Sequence, residues 1–274
     1  MSFKSPLNYS GSKQDLISQL LQHFPSPESV DRFYDVFTGG LSVTINTPYK
    51  SIISNDIIDP LIQFYLNLKQ ASDKDLIEEE IEKIKIFSIS KDSQDEFNRI
   101  REEFNNTGNP YQFFALVSSC TNNMIRFNKS FKFNQTFGKR SINDSTIQKL
   151  RDYCNILKQK EIYFSCRNYK DLFELFPPKT SDFVYLDPPY MISEAGYNAY
   201  WSKKLEEGLY DTLDELNDKN IRFALSGVSK HKGVDNPFMN RLSKYSIINL
   251  DYDYEKVARK KKMGDSQEIL VINY

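Results

Sequence analysis

Phe183-Val184-Tyr185-Leu186-Asp187-Pro188-Pro189-Tyr190 is the stretch whose reading settles the fold. Four apolar residues in a row, closed by turn residues, read as a short buried strand. Two prolines follow at once. Each fixes φ and each lacks a backbone N–H, so no regular element continues past Asp187. The strand thus delivers an acid into a rigid turn. In open α/β sheets ligands bind at the carboxyl ends of strands, which makes Asp187 a candidate functional residue as well as a fold marker.

Similar strand signals flank this one. Residues 32–37 form an apolar run that ends in Thr38-Gly39-Gly40, and Leu41-Ser42-Val43-Thr44-Ile45 then reads as a helix start. Ser51-Ile52-Ile53-Ser54 is a second strand, ending at Asn55-Asp56. Ile162-Tyr163-Phe164-Ser165 and Phe223-Ala224-Leu225-Ser226 are two more, and residues 247–250 and 269–272 close the chain. A short amphipathic helix, with Leu16, Ile17, Leu20 and Leu21 on one face, precedes them all. Between residue 59 and about 158 the pattern is helical, with segments around 61–68, 76–86, 94–104 and 111–125. Pro110 stands where a first helical turn tolerates proline. Strands alternating with helices predict an α/β fold with a mainly parallel sheet. The last two strands predict an antiparallel hairpin at the sheet edge. The expected division is a catalytic domain of residues 1–58 and 160–274, interrupted by a helical insertion of residues 59–159.

Composition limits the function classes. The 274 residues are 39% apolar and 27% charged, with 20 Phe and 17 Tyr, which is ordinary for a globular protein apart from the aromatics. Rings serve cores, and they also stack on bases. A net charge of −1 does not announce a nucleic-acid partner, so local clusters must carry that case. One is Lys129, Lys132, Lys139 and Arg140 interleaved with Phe127, Phe131, Phe133 and Phe137; the other is Arg259, Lys260, Lys261 and Lys262. Cys120, Cys154 and Cys166 are far apart, and only His23 and His231 could join them, so no metal site is expected. Reduced thiols, no apolar leader and no membrane-length run predict a cytoplasmic protein.

Two half-sites emerge. Glycines after the first strand let backbone approach a ligand closely. The full dinucleotide fingerprint and the phosphate loop are both absent, so a pyrophosphate is not expected there. Asp56, at the end of the second strand, stands where nucleotide-binding α/β folds place an acceptor for ribose hydroxyls. An adenosine without phosphates satisfies both facts. The second half-site is Asp187-Pro188-Pro189-Tyr190. An exocyclic amino group is a poor nucleophile because its lone pair is delocalised into the ring. The Asp187 carboxylate and the Pro188 carbonyl can hold its two hydrogens and favour tetrahedral nitrogen. Asp187 then stabilises the developing positive charge, and Tyr190 is expected to stack on the base.

These residues resemble the Dam-type DNA adenine-N6 methyltransferases, especially a phage-like branch. The likeness runs through Tyr9-Ser10-Gly11-Ser12-Lys13, Asp35 to Gly40, Asn55-Asp56-Ile57, Asn123-Met124-Ile125-Arg126, Phe137-Gly138-Lys139-Arg140 and Asp187-Pro188-Pro189-Tyr190, in that order. It implies a Rossmann-like class I methyltransferase sheet with an antiparallel C-terminal strand and a target-recognition insertion. It implies S-adenosylmethionine contacts from Tyr9, Lys13, Phe37, Gly39, Asp56, Ile57, Tyr169 and Asp187, and catalysis by Asp187, Pro188, Pro189 and Tyr190. It further implies double-stranded DNA as partner, with contacts from Asn123, Met124, Arg126, Asn128, Lys132, Thr136, Lys139 and Arg140. GATC is the target of the best-known members. Thr136 departs from the family, many members of which carry proline there at a residue that touches a base.

Two other readings stay open at this point. One is a related methyltransferase acting on RNA adenine or on a protein glutamine, against which Asp187 and Phe137-Gly138-Lys139-Arg140 both speak. The other is a non-catalytic DNA-binding relative, against which intact Lys13, Asp56, Asp187 and Tyr190 speak.

Overall fold

The computed structural model describes residues 2–7, 9, 11–190, 200–251 and 266–274. The basic run 259–262 lies outside the described residues. The amino-terminal part contains α1 (Ile17–His23), β1 (Phe33–Asp35), α2 (Ser42–Asn46) and β2 (Ser51–Asp56). Five helices follow: α3 (Asp59–Gln70), α4 (Lys74–Ile86), α5 (Gln94–Thr107), α6 (Pro110–Ser119) and α7 (Asp144–Leu157). The chain then returns to strands with β3 (Glu161–Cys166), α8 (Tyr169–Leu175), β4 (Phe183–Leu186), α9 (Lys203–Asp218) and β5 (Arg222–His231). It ends with β6 (Val234–Asp235), α10 (Met239–Leu242), β7 (Ser246–Asn249) and β8 (Gln267–Ile272).

The sheet runs β3-β2-β1-β4-β5-β8-β7, with β6 paired to β5. β3, β2, β1, β4 and β5 are mutually parallel; β8 is antiparallel to β5, and β7 is antiparallel to β8. The mainly parallel sheet with an antiparallel end is therefore the observed fold. The strand order reverses between β1 and β4, so the carboxyl ends of β1, β2 and β4 frame a crevice at a topological switch point.

Side chains alternate between the two faces of each strand. Phe33, Ile52, Phe183 and Tyr185 belong to one buried core, shared with α1 to α7. Tyr34, Ile53, Val184 and Leu186 belong to the other, shared with α8, α9 and Leu242 of α10. The helices of residues 59–157 thus cover one face of the sheet and have no separate core. Their ends are set by sequence. Asp73, Ser93 and Asn143 cap α4, α5 and α7 by accepting backbone N–H bonds, and Gly108 ends α5 with φ of 69°.

Two expectations need correction. The helix expected over 111–125 stops at Ser119. Beyond it the chain pairs across space: Thr121 N donates to Thr136 O at 2.9 Å, Gly138 N to Ser119 O at 2.8 Å, and Cys120 bridges Phe137. A Cβ on Gly138 would lie 2.4 Å from Cys120 O, so only glycine permits this approach. Tertiary pairing has overridden helical periodicity. The first strand is also shorter than residues 32–37, because Thr38 N turns to Asn55 O at 2.7 Å.

Candidate active site

The glycine turn after β1 is built around close approach. Gly39 has φ of 44°, and a Cβ there would sit 2.9 Å from the Tyr9 ring; at Gly40 it would sit 2.8 Å from Tyr9 Cβ. The turn's carbonyls are held from the helical side: Tyr65 of α3 donates to Gly39 O at 2.6 Å, and Tyr153 of α7 donates to Gly40 O at 2.8 Å. The buried Asp56 carboxylate closes the turn, accepting from Gly39 N and from Ile58 N, each at 3.0 Å. Burial pushes the Asp56 carboxyl above the usual range, and these backbone N–H groups pull it back. Asn55 clamps the strand ends, donating to Val36 O at 3.0 Å and Arg167 O at 2.9 Å while accepting from Arg167 N at 3.1 Å.

Beneath the turn lies a buried carboxyl. Asp35 Oδ2 accepts from Thr44 Oγ1 at 2.6 Å and Thr38 Oγ1 at 3.2 Å, but Oδ1 is buried with no hydrogen-bond partner among the described residues. Burial pushes this acid up to about 7, and the two threonine hydroxyls limit the rise.

The β4 turn faces the glycine turn. Lys13 Nζ lies 2.9 Å from Asp187 Oδ1, both side chains being largely buried. The Tyr190 phenol donates to the same oxygen at 3.1 Å, and Lys13 Nζ lies 5.3 Å from the Tyr190 ring centroid. Burial, with the Asp187 charge next, pushes the phenol well above its ordinary value, so it stays a donor. A cavity of about 430 Å³ joins both half-sites, lined by Tyr9, Lys13, Phe37, Gly39, Asp56, Ile57, Tyr169 and residues 187–190. Phe37, Tyr169 and Trp201 form an aromatic corner, with ring centroids 5.5 to 6.1 Å apart.

The paired segment 120–138 projects nearby as a hairpin in which Phe127 bridges Phe133. Arg126 is exposed, its Nε donating to Asn134 Oδ1 at 2.9 Å. Asn128 holds the hairpin tip, its Oδ1 accepting from Ser130 N at 2.9 Å and Lys132 N at 3.0 Å. Lys132, Thr136, Lys139 and Arg140 are exposed, and Met124 is half-buried. Asn123 is buried, and its amide is committed: Nδ2 donates to Val117 O and Ser118 O, and Oδ1 accepts from Arg140. A second cavity, about 280 Å³, is lined by Asn123, Lys139, Arg140, Lys91, Ser141 and Thr146, among others.

The sequence model of the D12 class N6 adenine-specific DNA methyltransferases matches residues 9–256. The chain belongs to this family. It is 33% identical over 280 residues to the type II methyltransferase M.FokI of Planomicrobium okeanokoites, and 33% identical over 282 residues to the modification methylase StsI of Streptococcus sanguinis. Each alignment takes in 99% of this chain but 43% of the relative, so this D12 class chain spans less than half the length of those proteins. A DNA adenine methylase of Serratia marcescens is 30% identical over 71% of this chain and 70% of its own.

In this D12 class chain, every residue expected at the cofactor or in catalysis lines the larger cavity. Those expected at DNA do not form one cluster: three line the second cavity, and Arg126, Asn128 and Lys132 lie on the hairpin. Sequence reasoning gave no role to Asp35, Asn55, Trp201 or Lys91. Trp201 could have been noticed as the lone tryptophan; its Nε1 is buried at the cavity with no hydrogen-bond partner among the described residues. Lys91 stands beside Asp92 and gives no signal at all. Among the described residues no cluster of His, Cys, Asp and Glu is placed to hold a metal, and no helix is long and apolar enough to cross a membrane.

Proposed function

We propose that this chain transfers a methyl group from S-adenosylmethionine to N6 of an adenine turned out of duplex DNA. The observation that carries this reading is the meeting, in one cavity, of the Asp187 turn with the glycine turn and Asp56. The cavity fits the methyl donor. It has an acid for ribose hydroxyls, a glycine turn on which Tyr9 packs too closely for any Cβ, an aromatic corner for a purine, and the buried Trp201 Nε1 donor, which has no partner among the described residues. Tyr9, Lys13, Phe37, Gly39, Asp56, Ile57, Tyr169 and Asp187 would hold it. When bound, it supplies an electrophilic methyl carbon.

The chain's own groups then prepare the nucleophile. Asp187 Oδ1 is held by Lys13 and Tyr190, which fixes the carboxylate. Oδ2 accepts one N6 hydrogen and the Pro188 carbonyl accepts the other, which aims the nitrogen lone pair. As positive charge grows on nitrogen, the fixed carboxylate stabilises it without reorganising. Tyr190 acts here as a positioning donor to Asp187, which adds to the stacking role expected from sequence. These acceptors lie inside a cavity, so the adenine must leave the base stack.

Residues 59–159 are the target-recognition part of this reading, with DNA laid along the hairpin and the second cavity. Arg126, Lys132, Thr136, Lys139 and Arg140 are its exposed contacts, Asn128 and Met124 support them, and Asn123 positions Arg140. Among the described residues Lys91, Lys139 and Arg140 form no ion pair, which suits a backbone phosphate. The enzyme would work in the cytoplasm, where DNA and donor meet. GATC is the first target to test. The deciding experiment is methylation-aware sequencing of DNA from a host expressing the chain or its Asp187→Ala variant. N6-methyladenine at one recurring sequence is expected with the parent. The variant should lose roughly 100-fold or more of the transfer rate while staying folded. Transfer retained within a few-fold by Asp187→Ala would overturn the mechanism.

A further inference from the structure

One residue of the hairpin carries a backbone cost that burial does not offset. Phe131 has φ of 55°, a left-handed conformation that bulky side chains avoid and glycine adopts freely. Its side chain is 59% exposed, so burial does not offset that cost. The turn is nevertheless firmly set. Phe131 N donates to Asn128 O at 2.9 Å, and Asn128 Oδ1 takes the N–H groups on either side. The hairpin base is tied to α5, where Asn105 Nδ2 donates to Phe133 O at 3.1 Å and Asn105 Oδ1 accepts from Phe133 N at 2.7 Å. A rigid support therefore holds an exposed ring in a disfavoured conformation.

The position of that ring is informative. Its centroid lies 5.1 Å from that of Tyr200, which lines the larger cavity, and Tyr200 also meets the Phe127 ring edge-on at 5.6 Å. Phe131 is thus the outer end of an aromatic path from the hairpin tip to the cavity. Exposed Lys129 and Lys132 flank it, which suits a tip lying against phosphates.

We infer that Phe131 stacks on a nucleobase next to the target adenine and fills the gap left as that adenine leaves the duplex. The inference rests on the function proposed above. Unstacking a base costs energy, and an aromatic ring restores the lost contact whatever the base, because every base has a π-face. Strain stored at the tip is tolerated because the rest of the hairpin is over-determined.

Phe131→Gly tests this cleanly, since it removes the ring and relieves the backbone together. The duplexes carry the target found by methylation mapping, either fully paired or with the target adenine mismatched. The melting temperature should hold or rise, and S-adenosylmethionine binding should not change. Transfer on the paired duplex should fall roughly tenfold in kcat/KM, in keeping with the loss of one stacked base. The signal from 2-aminopurine at the target position should fall with it. On the mismatched duplex, where unpairing is already cheap, the defect should shrink to within about twofold of the parent. Phe131→Trp should restore transfer on the paired duplex. An equal defect on both duplexes, no defect on either, or a loss of fold stability would each overturn the inference. A parent inactive on both duplexes would overturn the underlying function, and that result is read before any variant is compared.

Discussion

Asp56 and Asp187 are two carboxylates at strand ends held in different ways, and the proposed function gives them different roles. Both oxygens of Asp56 are held by backbone N–H groups, so it is part of the wall and can offer only its remaining lone pairs. Asp187 is held by side chains on Oδ1, and in the function proposed above its Oδ2 meets the substrate. Asp56→Ala should therefore weaken S-adenosylmethionine binding by about 1.5–3 kcal/mol, the worth of hydrogen bonds to a charged acceptor. Titration calorimetry on the folded variant measures this, and an unchanged dissociation constant would place the ribose acceptor elsewhere. Both acids were legible because each follows an apolar strand at a turn. Asp35 was not. It stands at the end of β1 in the same kind of context, yet its carboxyl points into a nest of threonine hydroxyls, and no one-dimensional pattern separates a ligand acid from a buried one.

At the scale of elements, strands were the easiest to read, since β4 matches its apolar run residue for residue and β2 and β3 extend theirs by one or two. Residues 120–138 were the hardest, because their order comes from pairing with each other and with α5, which periodicity cannot report. The rigid hairpin gives its cations distinct roles. Arg126 is anchored through Nε by Asn134, so its fork is pre-oriented, and a guanidinium can bond O6 and N7 of one guanine together. Arg126→Ala should cost about 1–3 kcal/mol at one base position and relax preference there. Lys132→Ala and Lys91→Ala should weaken binding to all sequences alike and lower the salt slope by about one each. Transfer rates on every single-base variant of the target, at several salt concentrations, separate the two behaviours. A common factor across all variants for Arg126→Ala would make it a backbone contact.

The whole molecule is tied together across its helical stretch, which bears on stability. The glycine turn of the cofactor half hangs from Tyr65 and Tyr153 of that stretch, and one core runs through both parts. Unfolding should accordingly be a single transition, and its pH dependence should carry the mark of the carboxyl at the centre. Asp35 is held up at about 7 by burial, and Asp56 is raised for the same reason. A carboxyl whose folded value exceeds its unfolded value binds more protons when folded, so stability falls as pH rises. The window opens in the ordinary carboxylate range near pH 4, the slope is half its maximum at about pH 7, and the loss levels off about one unit above that. Glu78 is lowered by its bond from Arg151, and Asp214 is lowered, against its own burial, by bonds from Lys244, Tyr245 and Arg241; both act in the opposite sense, but below that window. Between pH 5 and 7 the parent should lose up to about 1.4 kcal/mol per pH unit to Asp35. Asp35→Asn keeps an acceptor for Thr38 and Thr44 but cannot ionise, so its stability should be nearly flat there, with only the Asp56 contribution left. Urea unfolding of both proteins at pH 5, 6, 7 and 8 decides the matter. A parent whose stability is constant or rising from pH 5 to 7, or an Asp35→Asn variant with the parent's slope, would mean that Asp35 is already ionised in the folded protein and that its unpaired oxygen has found a donor.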